Sequence, residues 1–199
     1  MIVSALLAAA VVAGQAAPPP NPLAGVRLRT DAGDIVLQLD QTRAPVTTCN
    51  FLRYVAAGRY TDAVFFRTVV SGTDRNPSPI DVVQAATIAG SDDPGFGPIA
   101  LERTRDTGLT HAAGVISMAR DGPDTATSSF FIVVEDSLNL DFGGARARDG
   151  QGFAAFGRVF SGMDVVRAIQ AGAAADERLA SPVAIREAII IHTPQECRS

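Results

Sequence analysis

Val26-Arg27-Leu28-Arg29-Thr30-Asp31-Ala32-Gly33-Asp34-Ile35-Val36-Leu37-Gln38-Leu39-Asp40 reads as a β-hairpin. Val26 and Leu28 alternate with arginines, Asp31-Ala32-Gly33 supplies a turn, and Ile35, Leu37 and Leu39 alternate with Val36, Gln38 and Asp40. Successive side chains of a strand point to opposite faces, so this pair buries one face and wets the other. That is the pattern of an antiparallel sheet, not of the doubly covered parallel kind.

Beyond the hairpin the period changes. Pro45 suits the first turn of a helix, Val46, Cys49, Leu52 and Val55 recur at helical spacing, and Gly58 suits its end. Phe65 to Val70 returns to strand composition, Ser71 to Pro79 is a turn-rich loop, and Val82 to Ile88 is a further strand. After a Gly- and Asp-rich excursion from Gly90 to about Thr110 come short strands at Gly114–Ala119, Ser129–Val134 and Phe153–Phe160. Met163 to Ala171 is helical, with Val165, Val166 and Ile169 on one stripe, and Ala188 to His192 is a closing strand. Many short strands with two helices imply a mainly β architecture, an antiparallel barrel or sandwich.

Composition narrows the class. A chain of 199 residues, 47% hydrophobic and 19% charged, suits one folded domain. The net charge of −4 and the lack of basic clusters argue against a nucleic-acid partner. Residues 1–16 read as a signal peptide with a short apolar run and small residues near Ala16, although no basic residue precedes the run. Residues 17–24 read as a Pro-rich linker and 25–199 as the domain proper. The apolar run falls short of the roughly 20 residues a bilayer needs, so no membrane span is expected, and a periplasmic or secreted location is. Cys49 and Cys197 could then form a bridge tying the C-terminal end to the body; the alternative is a buried Cys49 with Cys197 on the tail.

Several strings, in order, resemble cyclophilins. They are Thr30-Asp31-Ala32-Gly33-Asp34-Ile35 with Leu39-Asp40, Ala44-Pro45 with Asn50-Phe51, and Tyr60 followed by Phe65-Phe66-Arg67. Gly114-Val115-Ile116-Ser117-Met118-Ala119-Arg120, Ser129-Phe130-Phe131-Ile132, Phe156-Gly157-Arg158-Val159 and Gly162-Met163-Asp164-Val165-Val166 follow. The resemblance spans roughly Val26 to His192. It implies a closed eight-stranded antiparallel barrel capped by two α-helices, with a peptide groove on its outer face. It also implies isomerisation of Xaa-Pro bonds in proline-containing polypeptide clients, with no cofactor and no metal, by what is expected to be a monomer.

That chemistry has a simple requirement. Resonance gives the C–N bond double-bond character, and unaided isomerisation faces an activation energy of about 20 kcal/mol. A fixed donor aimed at the nitrogen lone pair, which is regained only when the amide twists, binds the twisted state better than either planar state. Arginine is permanently protonated and planar, which suits it to this task.

By resemblance Arg67 is the donor and Gln84 orients it, while Phe131 floors the proline pocket. Alternation puts Ser129 and Phe131 on one strand face and Phe130 and Ile132 on the other, so one phenylalanine belongs to the core and one to the pocket. Ala119, Leu140 and Arg120 match further groove positions.

Other positions depart from the family. Phe66 replaces the usual histidine, Val82 stands for a methionine, Ser129 for a glutamine and Phe153 for a histidine, and one pocket phenylalanine has no counterpart. Ala85 and Ala86 replace tandem glycines. These changes motivate the competing reading, a proline-peptide-binding chaperone or scaffold with weak or no isomerase activity. His111 and His192 read as structural or exposed, Asp92, Asp93 and Asp141 as solvated, and Gly143–Gly152 as a flexible turn.

Overall fold

The computed structural model describes residues 23–87, 95–193 and Cys197. The expected signal peptide, nearly all of the Pro-rich linker, Ile88, Asp92 and Asp93 lie outside the described residues.

The strands are β1 (Ala24–Thr30), β2 (Gly33–Leu39), β3 (Val64–Val69), β4 (Asp81–Ala86), β5 (Val115–Met118), β6 (Phe130–Glu135), β7 (Ala154–Ser161), β8 (Ala174–Ala175) and β9 (Arg178–His192). Eight of them form a ring in the order β1-β2-β7-β5-β6-β4-β3-β9, which the β1–β9 pairing closes, and β8 adds a short flap to β9. Every pairing is antiparallel. Among the described residues, closure leaves no long strand edge unpaired.

The hairpin folds as its alternation requires. Val26, Leu28, Ile35, Leu37 and Leu39 are fully buried and meet Phe65, Val83, Ile116, Met118, Phe130, Ile132 and Phe156 in the barrel interior. Helix α1 (Pro45–Ala56) caps the barrel with Phe51, Leu52, Tyr54 and Val55. Ala44 offers its N-terminus no side-chain cap; instead the Glu102 carboxylate accepts the N–H groups of Val46 and Thr47 at 3.0 and 2.7 Å. Negative charge at a helix N-terminus is the favourable arrangement. The second cap, here numbered α3 (Met163–Gln170), buries Val166 and Ile169. Its N-cap Gly162 has φ 96°, and a Cβ there would lie 2.4 Å from the Asp34 carbonyl oxygen, so only glycine fits.

Two expectations need correction. A third helix, α2 (Thr104–Thr107), lies in the long excursion; one turn is too short to show a period. The closing strand begins at Arg178, not Ala188. Its first half pairs with β3 and its second with β1, through register shifts that break any two-residue alternation.

Candidate active site

Strands β4 and β6 lie side by side, with Val82 opposite Val133, Gln84 opposite Phe131 and Ala85 opposite Phe130. Their inward residues belong to the barrel core. Their outward residues Val82, Phe131 and Val133 form a second apolar cluster with Val69, Ile80 and Leu140, and Ala119 and Phe153 pack against it. Phe130 is the core phenylalanine, edge-on to Phe51 at 5.3 Å between ring centroids, and Phe131 is the outer one.

Arg67 reaches this outer face through a bulge. Strict alternation would put it on the same side as the buried Phe65. The register against β4 steps from Phe65–Ala85 to Arg67–Gln84, leaving Phe66 as the extra residue. The insertion flips the parity, so Arg67 stands beside outward-facing Gln84. Phe66 itself is nearly buried, with the Arg178 guanidinium 5.7 Å from its ring centroid.

The guanidinium of Arg67 is held on two sides. Its Nη1 donates to Gln84 Oε1 at 2.8 Å, and its Nε and Nη2 donate to Glu177 Oε2 at 2.9 and 2.5 Å. Gln84 is fixed in turn, since its Nε2 donates to the Ser129 hydroxyl at 3.1 Å, which donates to the Ala85 carbonyl at 3.1 Å. Beside this array is a recess of about 230 Å³ lined by Arg67, Ile80, Val82, Gln84, Ala119, Arg120, Asp121, Phe131, Leu140, Arg146 and Phe153. All the expected groove residues line it except Ser129. That residue is 2% exposed and backs Gln84 because its side chain is too short to pass the glutamine.

The far wall is a loop, and it is pinned where a flexible turn was expected. Arg120 donates to both oxygens of Asp149 at 2.7 and 2.8 Å, and through Nε to the Gly152 carbonyl at 2.8 Å. Hydrogen bonds from Arg120 hold the Asp149 carboxyl down at about 2. The Arg120 guanidinium lies 5.0 Å from the Phe153 ring centroid, and Phe153 meets Phe131 edge-on at 5.6 Å. Gly152 has φ 66°, and a Cβ there would lie 2.5 Å from the Asp141 carbonyl carbon. Arg146 closes the same wall by pairing with Asp74 at 2.5 Å. Burial pushes the Asp74 carboxyl up, but the Asn76 and Ile80 N–H groups and Arg146 together hold it below its ordinary value.

Behind Phe131 lies a fully buried histidine. His111 Nδ1 is 2.7 Å from Asp141 and its Nε2 is 2.9 Å from the Ser117 hydroxyl, while its ring stacks on Phe131 at 6.0 Å and 19°. Asp141 is therefore a partner of His111, not a solvated loop carboxylate; the two are 30 residues apart, so no local motif could pair them. Ile80 and Arg146, which line the recess, and Glu177 were likewise not among the expected site residues. Ile80, 4% exposed, fills space beside Phe131 that lacks the family's phenylalanine.

Residues 25–190 match the family model described as cyclophilin type peptidyl-prolyl cis-trans isomerase. The chain belongs to the cyclophilins. A peptidyl-prolyl cis-trans isomerase of Streptomyces antibioticus is 37% identical over 150 residues, 73% of this cyclophilin and 82% of the relative. Peptidyl-prolyl cis-trans isomerase A of Dickeya dadantii is 38% identical over 141 residues, 70% of this chain and 67% of its own. A crystal structure of a cyclophilin type isomerase from Cryptosporidium parvum superposes with a TM-score of 0.68 at 20% identity, covering 86% of this chain and 99% of that one. The cyclophilin barrel therefore tolerates four-fifths divergence in sequence while keeping its course.

Away from the groove, Cys49 on α1 and Cys197 are joined, with Cα atoms 5.4 Å apart and a sequence separation of 148. Among the described residues, no helix is long and apolar enough to cross a membrane.

Proposed function

We propose that this cyclophilin catalyses cis-trans isomerisation of Xaa-Pro bonds in extended or unfolding polypeptides, as a monomer in the periplasm or outside the cell. The proline ring enters the recess over Phe131, Val82, Leu140 and Ala119, where apolar side chains exclude water. The free N–H groups of Arg67 face the imide nitrogen and donate to its lone pair as the amide twists. Gln84 fixes the guanidinium and offers its amide to the peptide backbone. Arg120 is committed to Asp149 and Gly152, so its part is to hold Phe153 as the outer wall of the pocket.

The observation that carries this reading is the guanidinium of Arg67 fixed beside an aromatic-floored recess. It also favours an enzyme over a passive scaffold, which needs no aligned donor. A protease-free assay on Xaa-Pro peptides tests it: Arg67→Ala should slow turnover ~10- to 1000-fold, or ~1.4–4 kcal/mol of barrier. A parent that binds peptide without turnover establishes the scaffold reading instead.

Support for export comes from the apolar N-terminal run and from the pairing of Cys49 with Cys197, since such bridges persist in oxidising compartments. N-terminal sequencing of the exported protein should begin near Ala17; an intact Met1 overturns the assignment.

A further inference from the structure

Glu177 occupies the two-residue turn joining β8 to β9, and both turn residues have left-handed backbone, φ 48° at Asp176 and 65° at Glu177. Hairpin turns of this kind take asparagine or aspartate and then glycine. Glutamate at the second position is sterically disfavoured, because its Cβ crowds the following carbonyl. Left-handed residues other than glycine persist where surrounding structure over-determines them, and they concentrate at functional sites.

What holds Glu177 there is visible. Its carbonyl accepts the N–H of Thr68 at 2.8 Å, and its carboxylate takes the Nε and Nη2 edge of Arg67. A residue that a hairpin turn disfavours thus places a carboxylate against the one guanidinium the reaction uses. An arginine has five N–H donors. Glu177 engages two and Gln84 one, which fixes the plane and leaves the rest for the peptide.

We propose that Glu177 is a positioning residue for catalysis, pre-orienting Arg67 from the hairpin turn; this rests on the assignment of Arg67 as the donor. A flexible four-bond side chain samples many rotamers, and a donor already locked in place needs no reorganisation as the amide twists. The role differs from that of Gln84, which grips the opposite nitrogen and lies within the pocket.

The test separates the role from a structural one. Glu177→Gly relieves the backbone, so its melting temperature should equal or exceed the parent's, while kcat falls about 10-fold, as loss of the carboxylate that accepts two N–H groups of Arg67 implies, with KM little changed. Glu177→Gln, which keeps an acceptor but no charge, should recover part of the lost kcat. In an Arg67→Ala background, Glu177→Gly should change nothing further. A Glu177→Gly enzyme with parental kcat, or with the same loss in the absence of Arg67, overturns the proposal. An Arg67→Ala enzyme with parental turnover is a different result and removes the assignment of Arg67 itself.

Discussion

On one side of the groove, Arg67 and Gln84 stand on adjacent strands of the barrel, and their positions follow from backbone pairing. On the other side, Phe153 and Arg120 are held by the 141–152 loop, whose course depends on the Arg120–Asp149 and Arg146–Asp74 ion pairs. The strand wall takes its backbone course from the same hydrogen bonds that make the fold, and Gln84 and Glu177 fix the guanidinium upon it. The loop wall stores its geometry in side-chain contacts that can be cut singly without opening the barrel. Donor alignment and pocket shape are thus separable properties of one site.

Four experiments bear on that contrast, the first as a control remote from both walls. Replacing Cys197 with alanine should cost about 2–4 kcal/mol of stability, because a cross-link over a long loop restricts the unfolded chain. Neither kcat nor KM should move. Urea unfolding beside peptide kinetics checks both, and native protein should show no free thiol until reduced, when two appear.

Arg120→Ala comes next. Its side chain is 2% exposed, so removal strands the Gly152 carbonyl and loosens Asp149; with that partner 29% exposed, the cost should be about 2–3 kcal/mol. Because the loop wall shapes the pocket, KM should rise more than kcat falls. An equal fall in kcat alone would join the two walls into one unit and break the comparison.

Gln84→Ala attacks the strand wall. It removes the Nη1 acceptor of Arg67, and kcat should drop about 5-fold, near 1 kcal/mol of barrier, with stability almost unchanged. The smallest effect is expected from acid. Asp149 is depressed from 3.8 to about 2 by Arg120, so its contribution is complete above 3.8 and is lost as pH falls toward 2. Phe153 resonances followed by NMR should stay put at pH 5 and shift only below about 4. Movement near neutral pH would show that another group holds the loop wall.

The strand wall was largely legible in the sequence and the loop wall was not. Phe130 and Phe131 could be divided between core and pocket because alternation in a strand is local. Arg67 and Ala119 fell in short strings whose order matched the cyclophilins, and Gln84 and Leu140 matched single family positions between such strings. Asp149, Arg146 and Asp74 carried no such signal, since an ion pair between residues 29 or 72 apart leaves no mark on its neighbours. His111 behind Phe131 escaped for the same reason, and Ser129 was misplaced because spacing gives a side chain's face but not its reach.

The sequence by itself determined the first seven strands, the two capping helices and the family, because hydrophobic period and turn chemistry act over a few residues. Tertiary structure alone decided which way Arg67 points. Its own strand would have sent it inward with Phe65, and only the extra residue in the pairing with β4 turns it out to the groove, where Gln84 and Glu177 hold it. A bulge belongs to two strands at once, so neither one's sequence can announce it.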